Sequence, residues 1–336
     1  MDRHRASRRR ARPSGRRPFV YAAVASVILV GGTAAGAVYM KAQAHDGQDL
    51  ISSSSPSSAS ASASASASPS VSEEASVEPV TVPAVDRDAL LAEALKSVTV
   101  PSGAETSASV LDVDSGESAA YGKGAFDTAS IVKVDILATL LLQAQDADRQ
   151  LTATEKANAT LMIENSDNTA ATTLWNEIGQ ADGLNSANKS FGLTGTAGGD
   201  GALWGLTQTT AADQLTLLQQ VFGDDEAKLS EASRTYMQGL MSEIAVDQHW
   251  GVSAAADGSD WALKNGWLAR STTGLWDINS IGRVTVDGHD YLVAVLSNGT
   301  TTKTKGISLV ESVAKAAVSV FQDTSADPSV TATATD

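Results

Sequence analysis

The stretch FDTASIVKVDILATLLL, residues Phe126–Leu142, decides how this chain folds, because Lys133 and Asp135 are the only charges after Asp127 in a long apolar run. From Ser130 onward the run predicts a long, mostly buried helix. Lysine is almost never fully buried without a partner, so Lys133 either reaches water or serves a purpose there. Ser130 lies three residues earlier, which puts both side chains on one helix face. The helix N-terminus favours negative charge, so Ser130 is a candidate nucleophile with Lys133 as its base.

Two further short motifs follow along the chain. Ser166–Asn168 reads S-D-N between two predicted helices, and Lys264–Gly266 is the only K-x-G, on a predicted strand. Alone, the first could be a helix cap and the second a strand bulge. The S-x-x-K spacing also recurs at Ser186–Lys189 and Ser312–Lys315, in polar or amphipathic surroundings that predict surface positions.

Hydrophobic patterning outlines the architecture around these motifs. Helices are predicted at residues 130–145, 154–164, 169–178, 183–191, 210–222, 230–245 and 305–322. Strands are predicted at residues 107–113, 261–268, 277–286 and 291–296. A strand, a run of helices, three strands and a final helix predict an α+β fold, with an antiparallel sheet flanked by helices and a helical subdomain.

In this order, the three motifs resemble those of the penicillin-recognising serine enzymes, above all class A β-lactamases with S-x-x-K, S-D-N and K-T-G. The resemblance covers residues 86–322. It implies an α/β/α-like fold of the β-lactamase/transpeptidase type and an acyl-serine hydrolase that uses no cofactor. The partner that it implies is a small-molecule β-lactam or a peptidoglycan stem peptide ending in D-Ala-D-Ala.

The resemblance also implies residue roles. The implied catalytic residues are Ser130, Lys133, Ser166 and Lys264. The implied substrate-binding residues are Asn168, Asn265, Gly266 and Trp267. Ser130 would attack, Lys133 would take its proton, and Ser166 would pass a proton to the leaving nitrogen. Lys264 would attract the substrate carboxylate, and the backbone N–H groups of Ser130 and Trp267 would form the oxyanion hole.

One departure from the family concerns release of the acyl group. Class A enzymes carry E-x-x-L-N, whose glutamate activates the water that frees the acyl-enzyme. The matching stretch here, Gly195–Gln214, contains no glutamate, and Asp200 is the only acid early in it. Without a base on that water, a rate factor of about 10²–10⁴ is lost, so slow deacylation is expected.

Smaller departures lie near the third motif. Asn265 stands where the family has a hydroxyl, and it still offers a hydrogen-bond donor. Trp267 is bulkier than the family's usual residue and is expected to narrow the site. Arg270 and Arg283 are both candidates for the arginine that binds the substrate carboxylate.

Composition excludes several other classes of function. The chain has 336 residues, no cysteine and a formal net charge of −15, although residues 1–17 alone hold eight arginines. The remaining acidic chain repels phosphate backbones, so nucleic acid is not an expected partner. His249 and His289 lie in no metal-ligand spacing, and no metal site is predicted.

The chain outside the predicted hydrolase domain indicates export. Residues 1–17 predict a basic cytoplasmic tail, and the uncharged residues 18–40 a transmembrane anchor or a signal-peptide core ahead of KAQA at Lys41–Ala44. Residues 45–85 predict a Ser/Ala/Pro-rich disordered linker, and residues 323–336 a disordered tail. The domain at 86–322 is therefore expected outside the cytoplasm, either membrane-anchored or secreted.

Three functions stay open at this point. The first is an exported serine hydrolase acylated at Ser130. The second is a non-hydrolytic module on the same fold that binds or senses β-lactams or peptidoglycan, which the missing glutamate favours. The third is a structural cell-wall protein, which explains the anchor and linker but not the motifs, because fold alone does not fix function.

Overall fold

A computed structural model describes residues 85–224 and 226–322 of the chain. The predicted basic tail, the apolar segment 18–40, the linker up to residue 84 and the C-terminal tail lie outside these residues. Within the described part, no helix combines the length and apolar character needed to cross a bilayer.

The described residues form helices and strands in the predicted order, with short additions. The helices are α1 Arg87–Ala94, α2 Val132–Asp146, α3 Ala153–Glu164, α4 Asn168–Glu177, α5 Gln180–Phe191, α6 Ala211–Phe222, α7 Glu231–Ser242 and α8 Lys303–Gln322. The strands are β1 Glu105–Asp112, β2 Ser118–Tyr121, β3 Phe126–Asp127, β4 Gln208–Thr209, β5 Trp261–Ala269, β6 Trp276–Val286 and β7 His289–Thr300.

Five strands make one antiparallel sheet in the order β2-β1-β7-β6-β5, and β3 pairs with β4 in a separate short ribbon. Strand β5 therefore lies at a sheet edge and presents backbone groups that no neighbouring strand of this sheet uses. The predicted α+β fold with an antiparallel sheet is confirmed.

Side chains alternate across the sheet and so feed two separate cores. On one face, Val293 and Val295 of β7 pack with α1 and α8. On the other face, Leu292 and Leu296 of the same strand pack with α2 and the helices that follow it.

Helix α2 runs through the middle of the helical layer. It packs against α3, α4, α5 and α7, and most of its residues are buried. A 3-10 turn at Ala129–Ile131, called here the nucleophile turn, leads into it, with Ala129 in a left-handed conformation at φ 48°. The apolar run of the sequence is thus a helix buried on all sides, and the side chain of Lys133 is buried with it.

Candidate active site

One buried asparagine ties the nucleophile turn to the sheet. The Nδ2 of Asn279 on β6 donates to the carbonyl oxygens of Asp127 at 2.9 Å and Thr128 at 3.0 Å. Its Oδ1 accepts the N–H of Ser297 on β7 at 3.1 Å. The backbone just before Ser130 is therefore fixed to the two strands at the middle of the fold.

Gly266 on β5 lets the sheet edge approach this turn closely. A Cβ at Gly266 would lie 2.7 Å from Thr128 O, 2.9 Å from Ser130 N and 3.0 Å from Ile131 N. All three neighbours are backbone atoms, so none can move aside alone. The glycine therefore makes room for the backbone of the nucleophile turn, and its part in substrate binding stays a prediction.

The free edge of β5 supplies an N–H group beside the turn. Arg270 N donates to Leu275 O at 2.8 Å, which marks a hydrogen-bonded pair at the end of the β5–β6 register. Because such pairs alternate along antiparallel strands, Trp267 belongs to a pair whose N–H groups point away from β6. The N–H of Trp267 thus faces the open edge next to Ser130, as an oxyanion hole requires.

Lys133 is fully buried and is held by the second motif. Its Nζ donates to Ser166 O at 2.7 Å, Ser166 Oγ at 3.0 Å and Asn168 Oδ1 at 2.8 Å. Burial lowers the pKa of Lys133 to about 7, and the nearby negative charge of Asp167 opposes that shift. A lysine with such a pKa exists both as amine and as ammonium near neutral pH, which a general base needs.

The loop that holds Lys133 is locally strained. Ser166 has a left-handed backbone at φ 55°, which is uncommon outside glycine, asparagine and aspartate. Asp167 caps α4 by accepting the N–H of Ala170 at 2.7 Å. The S-D-N segment therefore caps α4 and also supplies the hydrogen-bond acceptors of the buried Lys133 amine.

Lys264 is the second fully buried lysine of the site. Its Nζ donates to Asn265 O at 3.1 Å and lies 3.5 Å from Gln248 Oε1, a residue that the sequence did not single out. Burial lowers its pKa well below the ordinary lysine value, and the charge of Lys133 lowers it further. The hydrogen bonds of its described side chain do not include one to Ser166.

Two predicted binding residues send their side chains to the other face of the sheet. Asn265 Nδ2 donates to Gln248 O at 2.8 Å and Trp250 O at 3.0 Å. The indole of Trp267 lies 6.0 Å from that of Trp250, with Lys303 Nζ 4.1 Å from its ring centroid. Strand alternation explains both placements, because Lys264 and Gly266 occupy the cleft side. Trp267 nevertheless lines the cleft, and the narrowing of the site by this residue stays a prediction.

A cleft of about 610 Å³ opens above Ser130. Its wall consists of Ala129, Ser130, Asn168, Thr172, residues 202–206 and residues 267–272. A larger groove of about 1000 Å³ beside α8 is lined by Ser312 and Lys315 but by no residue of the three motifs that follow the family order. We therefore take the smaller cleft as the candidate active site.

Of the two candidate arginines, only Arg270 lines this cleft. Its guanidinium pairs with Asp127 and lies 3.7 Å from Asp277. Arg283 instead bonds Asp260 at 2.6 Å and Asp290 at 2.8 Å, away from the cleft-lining residues.

The positions of three aspartates bear on release of the acyl group, because the enzymes that the motifs resemble use an acidic residue for this step. Asp200 is exposed and is not among the residues lining the cleft. Asp135 is buried beneath the site, where burial raises its pKa to about 7 and the carboxylate of Asp213 adds to the rise. Asn188 Nδ2 donates to Asp135 Oδ2 at 3.0 Å. None of them lines the cleft where a water would meet an acyl group on Ser130.

Solved structures share this fold at low sequence identity. A PBP-A variant in an acyl-enzyme complex with penicillin G is 18% identical, with a TM-score of 0.59 over 70% of this chain and 97% of that one. TLA-3 extended-spectrum beta-lactamase is 15% identical, with a TM-score of 0.59 over 68% and 96%. A class A beta-lactamase from Bacteroides cellulosilyticus is 17% identical, with a TM-score of 0.59 over 71% and 100%.

Sequence comparison reaches the family itself. No curated protein matches the chain in sequence. The family model described as the beta-lactamase enzyme family matches residues 151–321, just over half of the 336 residues. The match contains the S-D-N and K-x-G motifs and begins after the nucleophile turn. With the fold, this match shows that the chain belongs to the beta-lactamase enzyme family.

Proposed function

We propose that the protein is an exported serine hydrolase that is acylated at Ser130 by a β-lactam or a D-Ala-D-Ala-like amide and loses its acyl group slowly. The observation that carries the proposal is Lys133: a fully buried amine with a pKa of about 7, one helical turn after Ser130. Its three oxygen partners all come from the S-D-N loop. A lysine at the surface is hydrated by water and needs no such set of acceptors from the protein.

We infer the chemistry from these contacts and from the place of Ser130 one helical turn before Lys133. Ser130 Oγ attacks the carbonyl carbon and gives its proton to the neutral amine of Lys133. The oxyanion lies between the N–H groups of Ser130 and Trp267, and the C–N bond then breaks. The leaving nitrogen takes a proton from Ser166 Oγ, which regains one from Lys133 across their 3.0 Å hydrogen bond. The product is an acyl ester on Ser130, with Lys133 neutral again.

Two observations support the ligand class. A structural neighbour forms an acyl-enzyme complex with penicillin G, although the low identity transfers only the fold. In this chain, Arg270 on the cleft wall, which pairs with Asp127, and the buried Lys264 are the basic groups that we propose meet the carboxylate that β-lactams and stem peptides share.

Intact-protein mass after incubation with penicillin G tests the proposal. We expect one covalent adduct on the wild type and none on Ser130→Ala. The control is Ser186→Ala, which changes the exposed serine of another S-x-x-K and should keep the adduct. A wild type without an adduct, or an adduct that survives in Ser130→Ala, would refute acylation at this serine.

A second candidate is a non-hydrolytic module that binds or senses the same ligands. The absence of glutamate from residues 195–214 favours it. The two functions differ in the decay of the adduct: recovery of the unmodified mass with release of hydrolysed penicillin indicates turnover, whereas an adduct stable for hours indicates a sensor.

The proposal also includes export and attachment to the membrane through residues 18–40. Fractionation of cells that express the full chain tests it. Recovery in the membrane fraction supports an anchor, a mature N-terminus just after Ala44 supports a cleaved signal peptide, and intact protein in the cytoplasm would contradict export.

A further inference from the structure

The loop of residues 199–207, called here the cleft loop, lies directly on the nucleophile turn. Thr128 N donates to Thr207 O at 2.9 Å, and Trp175 Nε1 donates to Gly201 O at 2.7 Å. A Cβ at Gly205 would lie 3.9 Å from Ala129 Cα. The loop is thus fixed near both ends and packed against the residue before Ser130.

Trp204 in this loop covers the buried lysine. The Nζ of Lys133 lies 5.0 Å from the centroid of the Trp204 ring. The indole Nε1 donates to Thr172 Oγ1 at 3.1 Å, which fixes the position of the ring against α4. Trp204 and Ser130 line the same cleft, so the ring lies between the amine and the solvent that enters there.

The indole has two opposite effects on the lysine. Its electron-rich face favours the ammonium form. Its bulk excludes water and favours the neutral amine. Burial is the largest influence on the pKa of Lys133, and the ring is part of the surface around its amine, so we take exclusion of water as the larger effect of the indole.

The indole also lines the cleft that opens above Ser130, without offering a base. Hydrolysis of an acyl ester on Ser130 needs a water within reach of the carbonyl carbon and a group that accepts its proton. Ring carbons of Trp204 accept no proton, and its only N–H is already donated to Thr172. A residue at this position therefore hinders hydrolysis and helps the lysine to act as base.

We propose that Trp204 is a positioning residue that shields Lys133 and the acylated Ser130 from water, and thereby makes the acyl-enzyme form readily and persist. This inference rests on the proposed acylation of Ser130. It assigns the long lifetime to a specific side chain in addition to the missing glutamate.

The test compares full-length wild type with Trp204→Ala and Trp204→Phe, using penicillin G and intact-protein mass. In Trp204→Ala, we expect the adduct to decay at least tenfold faster and the pH midpoint of acylation to rise, because Lys133 regains water. Trp204→Phe keeps an aromatic cover and should stay within about threefold of the wild type. Trp261→Phe changes a tryptophan that does not line the cleft and controls for loss of a tryptophan.

The outcomes separate this inference from the proposed function. If Trp204→Ala is acylated with the adduct lifetime and the pH midpoint of the wild type, the proposed role of Trp204 is wrong and the proposed hydrolase function is unaffected. If the wild type forms no adduct, the proposed acylation of Ser130 is wrong. Shielding of Lys133 by Trp204 is then tested by NMR titration of the Lys133 amine in the free proteins. There, a higher pKa in Trp204→Ala supports the shield, and an equal pKa refutes it. Trp204→Gln replaces the alanine variant if that variant does not fold.

Discussion

Lys133 and Lys264 are among the largest fully buried side chains of the described residues. Desolvation is the main cause of the lowered pKa of each. Among the described residues, neither lysine forms an ion pair with a carboxylate, and both donate only to uncharged oxygens. The fold thus buries both amines and provides neutral oxygen atoms as their hydrogen-bond acceptors. Because no carboxylate fixes the charge, each amine can change its protonation state during a reaction.

The pKa of Lys133 predicts how acylation depends on pH. Because only the neutral amine accepts the Ser130 proton, the acylation rate should rise with pH through a midpoint of about 7 and then level off. Asp167→Asn should move the midpoint lower, because the charge of Asp167 raises the pKa of Lys133 and asparagine still caps α4. Stopped-flow rates of adduct formation between pH 5.5 and 9 measure both.

Asp200→Asn is the matched control, because it removes one negative charge at an exposed position off the cleft wall. Its midpoint should equal that of the wild type. A rate that falls with rising pH, or no shift in Asp167→Asn, would contradict Lys133 as the base.

The order of the three motifs predicted part of this site. The contacts of Lys133 with Ser166 and Asn168 join residues that the three motifs had named. Trp204 and Asn279 were missed, because an aromatic ring or an amide without a fixed spacing acts only once the fold brings distant segments together. Asn265 was assigned to the ligand from its place in the motif, but strand alternation turns its side chain away from the cleft.

At the scale of elements, the close approach of β5 to the nucleophile turn depends on Gly266, which has no side chain. Gly266→Ala would place a Cβ within 3.0 Å of three backbone atoms of the turn. We expect a loss of about 1–3 kcal/mol in unfolding free energy. Acylation should slow at least tenfold, since Ser130 and the Trp267 N–H are pushed apart.

Urea denaturation and adduct kinetics measure these two effects. Gly258→Ala is the control, because a Cβ there meets nothing within 4 Å. It should leave both quantities close to the wild type. A fully active Gly266→Ala would show that the turn and the strand are not held as tightly as their contact implies.

Helix α2 carries a buried acid that predicts a dependence of stability on pH. In the folded protein, burial raises the pKa of Asp135 to about 7, from an ordinary value of 3.8. Between these values the unfolded chain has lost the proton and the folded chain keeps it, so stability falls as pH rises through this window and is flat above about 7.

Asp135→Asn cannot ionise and should escape this loss. Relative to the wild type, its unfolding free energy should increase by about 2–3 kcal/mol between pH 5 and 7.5, because each pH unit costs about 1.4 kcal/mol. Urea denaturation at several pH values provides the measurement. A constant difference across the window would mean that Asp135 is ionised in the folded protein.

Most elements followed from periodicity, and the exceptions have physical reasons. Predicted helices and strands agree with α2–α8 and with β1, β5, β6 and β7, apart from their ends. Helix α7 stops at Ser242, three residues before the predicted end. Helix α1 and strand β2 were missed, because eight and four residues are too short for a clear hydrophobic period.

At the scale of the whole molecule, the site lies where three independent parts meet. The sheet edge supplies Lys264 and the N–H of Trp267, α2 supplies Lys133, and the S-D-N loop supplies Ser166. The two cores on either side of the sheet hold these parts in place. The motifs are far apart in sequence because each belongs to a different structural unit of one fold.

The burial of Lys264 also has a thermodynamic consequence for the complete protein. A ligand carboxylate beside this amine would replace the missing counter-charge and raise its pKa, so the protein should take up a proton from solution as the ligand binds. Affinity for such a ligand should therefore decline as pH rises. Calorimetric titration of Ser130→Ala with penicillin G, in two buffers of different ionisation enthalpy, counts the protons. We expect net proton uptake on binding and a smaller uptake in a variant that also carries Lys264→Met, so that each bound ligand reports the charge state of a residue hidden from solvent.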